Sequence, residues 1–199
     1  QWRDSFRDPL ELLEMLGLQA FSERLSLSVQ SKFAFRVPRG FAAKMRYGDI
    51  NDPLLKQVLP IVDEEIQLPG YSSDAVGDLA SLKATGVLHK YQGRALLVST
   101  GSCAIHCRYC FRRDFPYADE TAASGQWQSA IRYLQSDTGI DEVLLSGGEP
   151  LSLSTAKLHV LSDGLRPLKH IKRLRIHTRL PVVLPDRIDA EFLEWIASL

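Results

Sequence analysis

Apolar and polar positions follow two different rhythms along this chain, and the change falls near residue 90. The first stretch reads as short helices. Asp8-Pro9-Leu10-Glu11 sets an acceptor, a proline and a glutamate where a first helical turn wants them, Leu12, Leu13 and Leu16 form an apolar stripe, and Gly17 can close the turn. A second helix is expected over 38–47, ended by Gly48, and Asn51-Asp52-Pro53 can open a third. Pro60, Pro69 and Gly70 break the pattern, and 69–85 is rich in Gly, Ser and Asp, so it reads as a connector. Beyond it, Arg94-Ala95-Leu96-Leu97-Val98-Ser99 is a short apolar run typical of a strand buried on both faces. Trp127, Ala130, Ile131 and Leu134 recur at helical spacing, and Asp141-Glu142-Val143-Leu144-Leu145-Ser146 reads as a second strand. Leu158, Leu161 and Leu165 mark a further helix capped by Ser154. The 171–178 segment reads as a third strand with Leu174 and Ile176 facing one way, and Asp189 can cap a last helix carrying Phe192, Leu193 and Ile196.

The alternation β-α-β-α-β-α predicts an α/β fold with parallel strands and right-handed crossovers. In such folds functional groups collect in the loops after the strands. Three motifs fall there: a cysteine window after the first strand, Ser146-Gly147-Gly148-Glu149-Pro150 after the second, and His177-Thr178-Arg179 after the third. Three βα units do not close a barrel, and an open edge would be a liability for a free-standing domain. A fragment of a longer chain, or a partner over the edge, is therefore expected. The opening Gln1-Trp2-Arg3-Asp4 has neither an initiator Met nor the order of a signal peptide, so a processed or trimmed chain is expected.

Composition changes little in this picture. Hydrophobic residues make up 45% and charged residues 24% of the 199, which is ordinary for a globular protein. Twenty-four basic residues balance 24 acidic ones, so charge offers no reason to expect nucleic acid, and the basic stretch at 169–175 has no aromatic stacking platform beside it. No apolar run is long enough to span a membrane. The 3 cysteines lie in one window, Cys103-Ala104-Ile105-His106-Cys107-Arg108-Tyr109-Cys110. Such close spacing makes a poor disulfide framework and points to a metal or cluster site in a reducing cytoplasm. Three thiolates can bind three irons of a [4Fe–4S] cube and leave the fourth open to a small molecule. The alternative is a closed zinc site with His106 as fourth ligand, although the paired short-spaced ligands of zinc knuckles are absent.

Cys-x3-Cys-x2-Cys with Tyr109 just before the third Cys resembles the signature of the radical S-adenosylmethionine (SAM) superfamily. His89-Lys90-Tyr91-Gln92-Gly93-Arg94, Cys110-Phe111-Arg112-Arg113 and Arg175-Ile176-His177-Thr178-Arg179-Leu180-Pro181 narrow the resemblance to the lysine 2,3-aminomutase family. The run from Cys107 to Tyr117, with 33–39 and 52–59, is most similar to the branch that makes β-lysine for elongation factor P. The resemblance implies the first part of a (β/α) radical SAM barrel over 89–199, behind a helical arm and linker over 1–88. It implies a [4Fe–4S] cluster on Cys103, Cys107 and Cys110, with SAM against Tyr109, Gly147, Gly148, Glu149 and Arg179. Pyridoxal 5′-phosphate (PLP) would lie against Tyr91 and Arg94, with Lys90 beside them, and Arg112 would pair with the substrate carboxylate. The implied reaction moves the amino group of free L-lysine from the α- to the β-carbon after a 5′-deoxyadenosyl radical takes a β-hydrogen. The implied partners are a flavodoxin- or ferredoxin-like reductant and, through the product, the ligase that loads β-lysine onto elongation factor P; a homo-oligomer is compatible with all of this. The PLP Schiff-base lysine and the acids for the substrate ammonium have no counterpart here, so turnover by these residues alone is not expected. A catabolic or biosynthetic aminomutase, and a truncated non-catalytic iron–sulfur or zinc module, are the alternative readings.

Overall fold

A computed structural model describes residues 3–26 and 34–199. The expectation at Phe33 lies outside the described residues. The chain forms two compact units: Gln1–Ser73 with Ala104–Arg113, and Asp74–Cys103 with Asp114–Leu199.

The first unit is built from short elements. Strands β1 (Ser5–Phe6) and β2 (Val37–Pro38) pair antiparallel, with Phe6 opposite Val37. Helix α1 (Pro9–Met15) begins as its sequence predicts, with the Asp8 side chain accepting from the Leu10 N–H at 2.9 Å and proline in the first turn. Leu12, Leu13 and Leu16 are buried with Phe6, Val37, Phe41, Leu55 and Val58. The expected second helix is shorter, only α2 (Arg39–Ala42), with turns from there to Gly48. The third is a 3₁₀ turn at Leu55–Gln57. The nearly buried Asp52 opens it, accepting from the Leu54 and Leu55 N–H groups at 2.8 and 2.9 Å and from the Arg46 N–H at 3.1 Å.

The second unit carries a five-stranded sheet in the order β3 (Leu82–Ala84), β4 (Val87–Tyr91), β5 (Arg94–Val98), β6 (Glu142–Ser146), β7 (Arg173–Ile176). The first two pairings are antiparallel and the last two parallel. Helices α3 (Gln128–Ser136) and α4 (Thr155–Leu165) connect the parallel strands, as expected, and α5 (Leu180–Val183) and α6 (Ala190–Ala197) follow β7. Ser154 and Asp189 cap α4 and α6 through the Lys157 and Phe192 N–H groups. Ala95, Leu97, Val143 and Leu145 share one sheet face and are fully buried, and Leu134, Leu158 and Leu161 on the helices are buried too. Trp127 and Trp195 complete this core, their indole N–H groups reaching the Lys157 carbonyl and the Ser162 hydroxyl.

Over the described residues the fold is therefore mixed α/β with an open sheet, not a closed barrel. The β3–β4 hairpin is an addition: β3 lies within the 69–85 segment that reads as a connector, and the sequence pattern predicts no strand at β4. Its pattern hides it: β3 has three residues, and register shifts between Leu82 and Ala84 and between Leu88 and Tyr91 break the period-2 alternation. Among the described residues no helix is long and apolar enough to cross a membrane.

Candidate functional site

Two of the three cysteines ride on a pair of tight turns in the first unit. The Cys110 N–H donates to the Cys107 carbonyl at 3.2 Å, and the Arg113 N–H to the Cys110 carbonyl at 3.3 Å. The segment is held at its backbone. The Arg108 N–H donates to Gln57 O at 2.7 Å, the His106 N–H to Arg36 O at 3.1 Å, and His106 Nδ1 lies 2.6 Å from Ala34 O. Burial lowers the His106 pKa below the usual histidine range. Burial pushes the Cys110 thiol up, against the Arg112 backbone N–H, which draws it down. Arg112 is buried, with its guanidinium 4.7 Å from the centre of the half-exposed Phe111 ring, and Tyr109 is exposed.

Cys103 belongs to the second unit, one residue after Ser102, whose carbonyl accepts from the Glu149 N–H at 2.8 Å. All three cysteines are half-buried thiols outside any disulfide. Among the described residues no three His, Cys, Asp or Glu side chains are gathered into a ready-made ion site. The donors are nonetheless all sulfur, and such a set fits an iron–sulfur cluster better than a hard cation.

The loop after β6 is shaped by close approach. Gly147 has φ +107°, and a Cβ on Gly148 would lie 2.6 Å from Thr100 O and 2.7 Å from Ser102 O. In its place the Gly148 N–H donates to Thr100 O at 2.7 Å. Glu149 is 7% exposed. Its Oε1 accepts from the Leu151 N–H at 3.1 Å and from the Thr178 hydroxyl, while Oε2 accepts from the Arg179 N–H at 2.8 Å. One carboxylate thus fastens the loop after β6 to the loop after β7, bringing Gly147, Gly148, Glu149 and Arg179 together at the C-terminal ends of the parallel strands.

Lys90, Tyr91 and Arg94 lie at the other end of those strands. Tyr91 and Arg94 pair across the β4–β5 turn, where β5 begins, and both are exposed. Lys90 Nζ is 2.7 Å from Asp78 Oδ1 and also donates to Val76 O, an anchor for the strand that precedes the turn. Arg94 is in register with Glu142, which in turn is in register with Arg173. Glu142 is buried and meets three guanidinium groups: Arg173 at 2.9 Å, Arg175 at 3.1 Å and Arg94 at 3.7 Å. Hydrogen bonding from Arg173 leads the causes that hold its carboxyl below the usual glutamate range. This cluster escaped the sequence reading, although a carboxylate opening an otherwise apolar strand was a signal. Glu64 escaped it too. Its carboxylate grips Arg108 and Arg113 in the first unit, and nothing in its own neighbourhood announces that.

Comparison with known proteins places these residues in a lineage. Residues 92–175 match a 4Fe-4S single cluster domain, a span that includes all three cysteines and the Gly147-Gly148-Glu149 loop. The L-lysine 2,3-aminomutase of Escherichia coli is 44% identical over 198 residues, which is 99% of this chain and 58% of that protein. The Haemophilus influenzae protein of the same name is 39% identical over 196 residues, 98% of this chain and 58% of that protein. The chain is a homologue of the lysine 2,3-aminomutases. A more distant lysine 2,3-aminomutase, from Clostridium subterminale, is 34% identical over 149 residues, 74% of this chain and 36% of that protein. The chain spans 58% of the length of the first two relatives.

Proposed function

We propose that this chain carries the cluster-binding part of a lysine 2,3-aminomutase that converts L-α-lysine to β-lysine for the modification of elongation factor P. The reading rests on the match to bacterial L-lysine 2,3-aminomutases over 98–99% of the chain, with an all-sulfur donor set in the matched 4Fe-4S region. The run from Cys107 to Tyr117 supports the elongation factor P branch. The three βα units are then the first part of a radical SAM barrel, with residues 1–88 as its arm.

Cys103, Cys107 and Cys110 would hold a [4Fe–4S] cluster, and SAM and PLP would complete the cofactor set. When bound, these groups supply the electron, the hydrogen-abstracting radical and the delocalisation that the amino shift needs. The chain's own contributions are binding and orientation. Gly147 and Gly148 let backbone approach closely, Tyr109 offers its backbone to the adenine, and Arg179 suits the SAM carboxylate or ribose. Glu149 keeps the two loops in register, and one lone-pair position on Oε2 remains for the SAM ammonium. Arg112 would clamp the lysine carboxylate in two-point fashion. Tyr91 and Arg94, at the opposite end of the parallel strands from the SAM loops, would border the phosphate end of PLP, with Lys90, held on Asp78, beside them. A cytoplasmic setting and a flavodoxin- or ferredoxin-like reductant would suit such a cluster and the electron it needs.

The decisive experiment is anaerobic reconstitution with iron and sulfide, followed by EPR of the reduced protein with and without SAM. A [4Fe–4S]⁺ signal that changes shape with SAM is the expected result. Zinc uptake without iron, or a cluster indifferent to SAM in folded protein, would overturn the reading.

A further inference from the structure

The geometry points to Glu64 as the positioning residue of the cysteine loop. It sits in the 3₁₀ turn Val62–Glu65, far in sequence from the thiols, with its side chain 16% exposed. Its carboxylate takes four donors. Oε1 accepts from Arg108 Nε at 3.0 Å and from the Ile61 N–H at 3.4 Å. Oε2 accepts from Arg108 Nη2 and from Arg113 Nη1, both at 2.8 Å. The four lone-pair positions of the carboxylate are thereby used, and Arg108 is gripped at two nitrogens in the fork geometry that fixes a guanidinium in plane.

The placement of these two arginines gives the contact its meaning. Arg108 directly follows Cys107, and Arg113 closes the turn whose first carbonyl belongs to Cys110. The Arg108 side chain is 6% exposed, so it reaches inward while the chain around it carries the thiols. A single carboxylate therefore holds the segment on both sides of Cys110, together with the Arg108 N–H on Gln57 O. Groups that orient metal ligands without touching the metal commonly set both affinity and redox poise.

The contact is also electrostatic. Burial alone would raise the Glu64 carboxyl, but hydrogen bonds and charge from Arg108 and then Arg113 outweigh it and hold the group below the usual glutamate range. Glu64 is thus an anion at neutral pH that offsets part of the positive charge of Arg108 and Arg113. Cluster potentials respond to net local charge. Without Glu64 the surroundings of a bound cluster would be more positive by one charge, which favours the extra electron. Glu64 thus has two effects: it fixes the spacing of Cys107 and Cys110, and it keeps the potential low.

This inference rests on the iron–sulfur reading above, and the test separates the two. The full-length protein and its Glu64→Gln and Arg113→Gln variants are reconstituted anaerobically. Iron and sulfide content, EPR line shape and midpoint potential are measured, with circular dichroism to check folding. Glu64→Gln preserves shape and removes charge, and it should lower cluster content several-fold and shift the remaining cluster to a more positive potential. Arg113→Gln removes a half-buried cation without stripping the grip on Arg108, so it should keep its cluster and shift the potential the opposite way. If Glu64→Gln does not fold, the negative shift in Arg113→Gln still decides the matter. Wild-type content, line shape and potential in folded Glu64→Gln, or no shift in Arg113→Gln, would overturn the role of Glu64. No SAM-responsive cluster in the unaltered protein would overturn the iron–sulfur reading and this inference with it.

Discussion

Two carboxylates, the partly buried Glu64 in the first unit and the buried Glu149 in the second, each fasten a loop that carries candidate chemistry, and they do it with different donors. Glu149 draws on two backbone N–H groups and a hydroxyl. Glu64 draws on two guanidinium groups and one backbone N–H. The second unit already has a five-stranded ladder, so its carboxylate only ties the ends of neighbouring strands together. The first unit has a two-residue strand pair and short helices, and there a charged clamp supplies what regular hydrogen bonding does not. Neutral donors make a contact that depends on position. Guanidinium donors make one that depends on charge as well.

The comparison can be broken at its strongest point. Glu64→Ala removes three guanidinium hydrogen bonds from a mostly buried setting, and loss of one partner of a buried ion pair costs about 3–5 kcal/mol. Denaturant unfolding of the two proteins measures it, and a difference below about 1 kcal/mol, the worth of an exposed pair, would mean the clamp is a surface contact. Glu149→Gln should cost less, about 1–3 kcal/mol, because an amide keeps one acceptor oxygen and turns its N–H₂ toward a buried donor. An unchanged unfolding midpoint would show that the two loops are tied elsewhere. The smallest effect is the response to acid. The folded pKa of Glu64 is depressed, so its contribution is fully present above the ordinary glutamate value of 4.5 and is lost as pH falls through the folded value. The stability gap between the unaltered protein and Glu64→Gln should therefore be constant near neutrality and narrow below about pH 4.5. A gap that persists in strong acid would assign the clamp to shape and not to charge.

Much of the scaffold was legible in the residues. Asp8, Ser154 and Asp189 announced their helices because a cap acts over two or three positions, within reach of its own side chain. The β5 and β6 runs were equally plain, since burial on both faces leaves a continuous apolar stretch. The β3–β4 hairpin was not legible, for its register shifts scramble the alternation that identifies a strand. The cysteine spacing, the paired glycines and the family resemblance were all present in the order of residues. Other residues had no such signal: nothing near Glu64 foretells Arg108, 44 positions away, and the register that sets Arg94 and Arg173 on either side of Glu142 exists only once three strands lie side by side.

By itself the sequence determined the thiol set, the glycines that let the β6 loop close on its neighbour, and the helix starts, because each is a property of a few adjacent residues. The tertiary structure alone decided which carboxylates hold those groups in place: burying a charge is tolerable only where the fold delivers enough donors to meet it, and those donors come from distant parts of the chain.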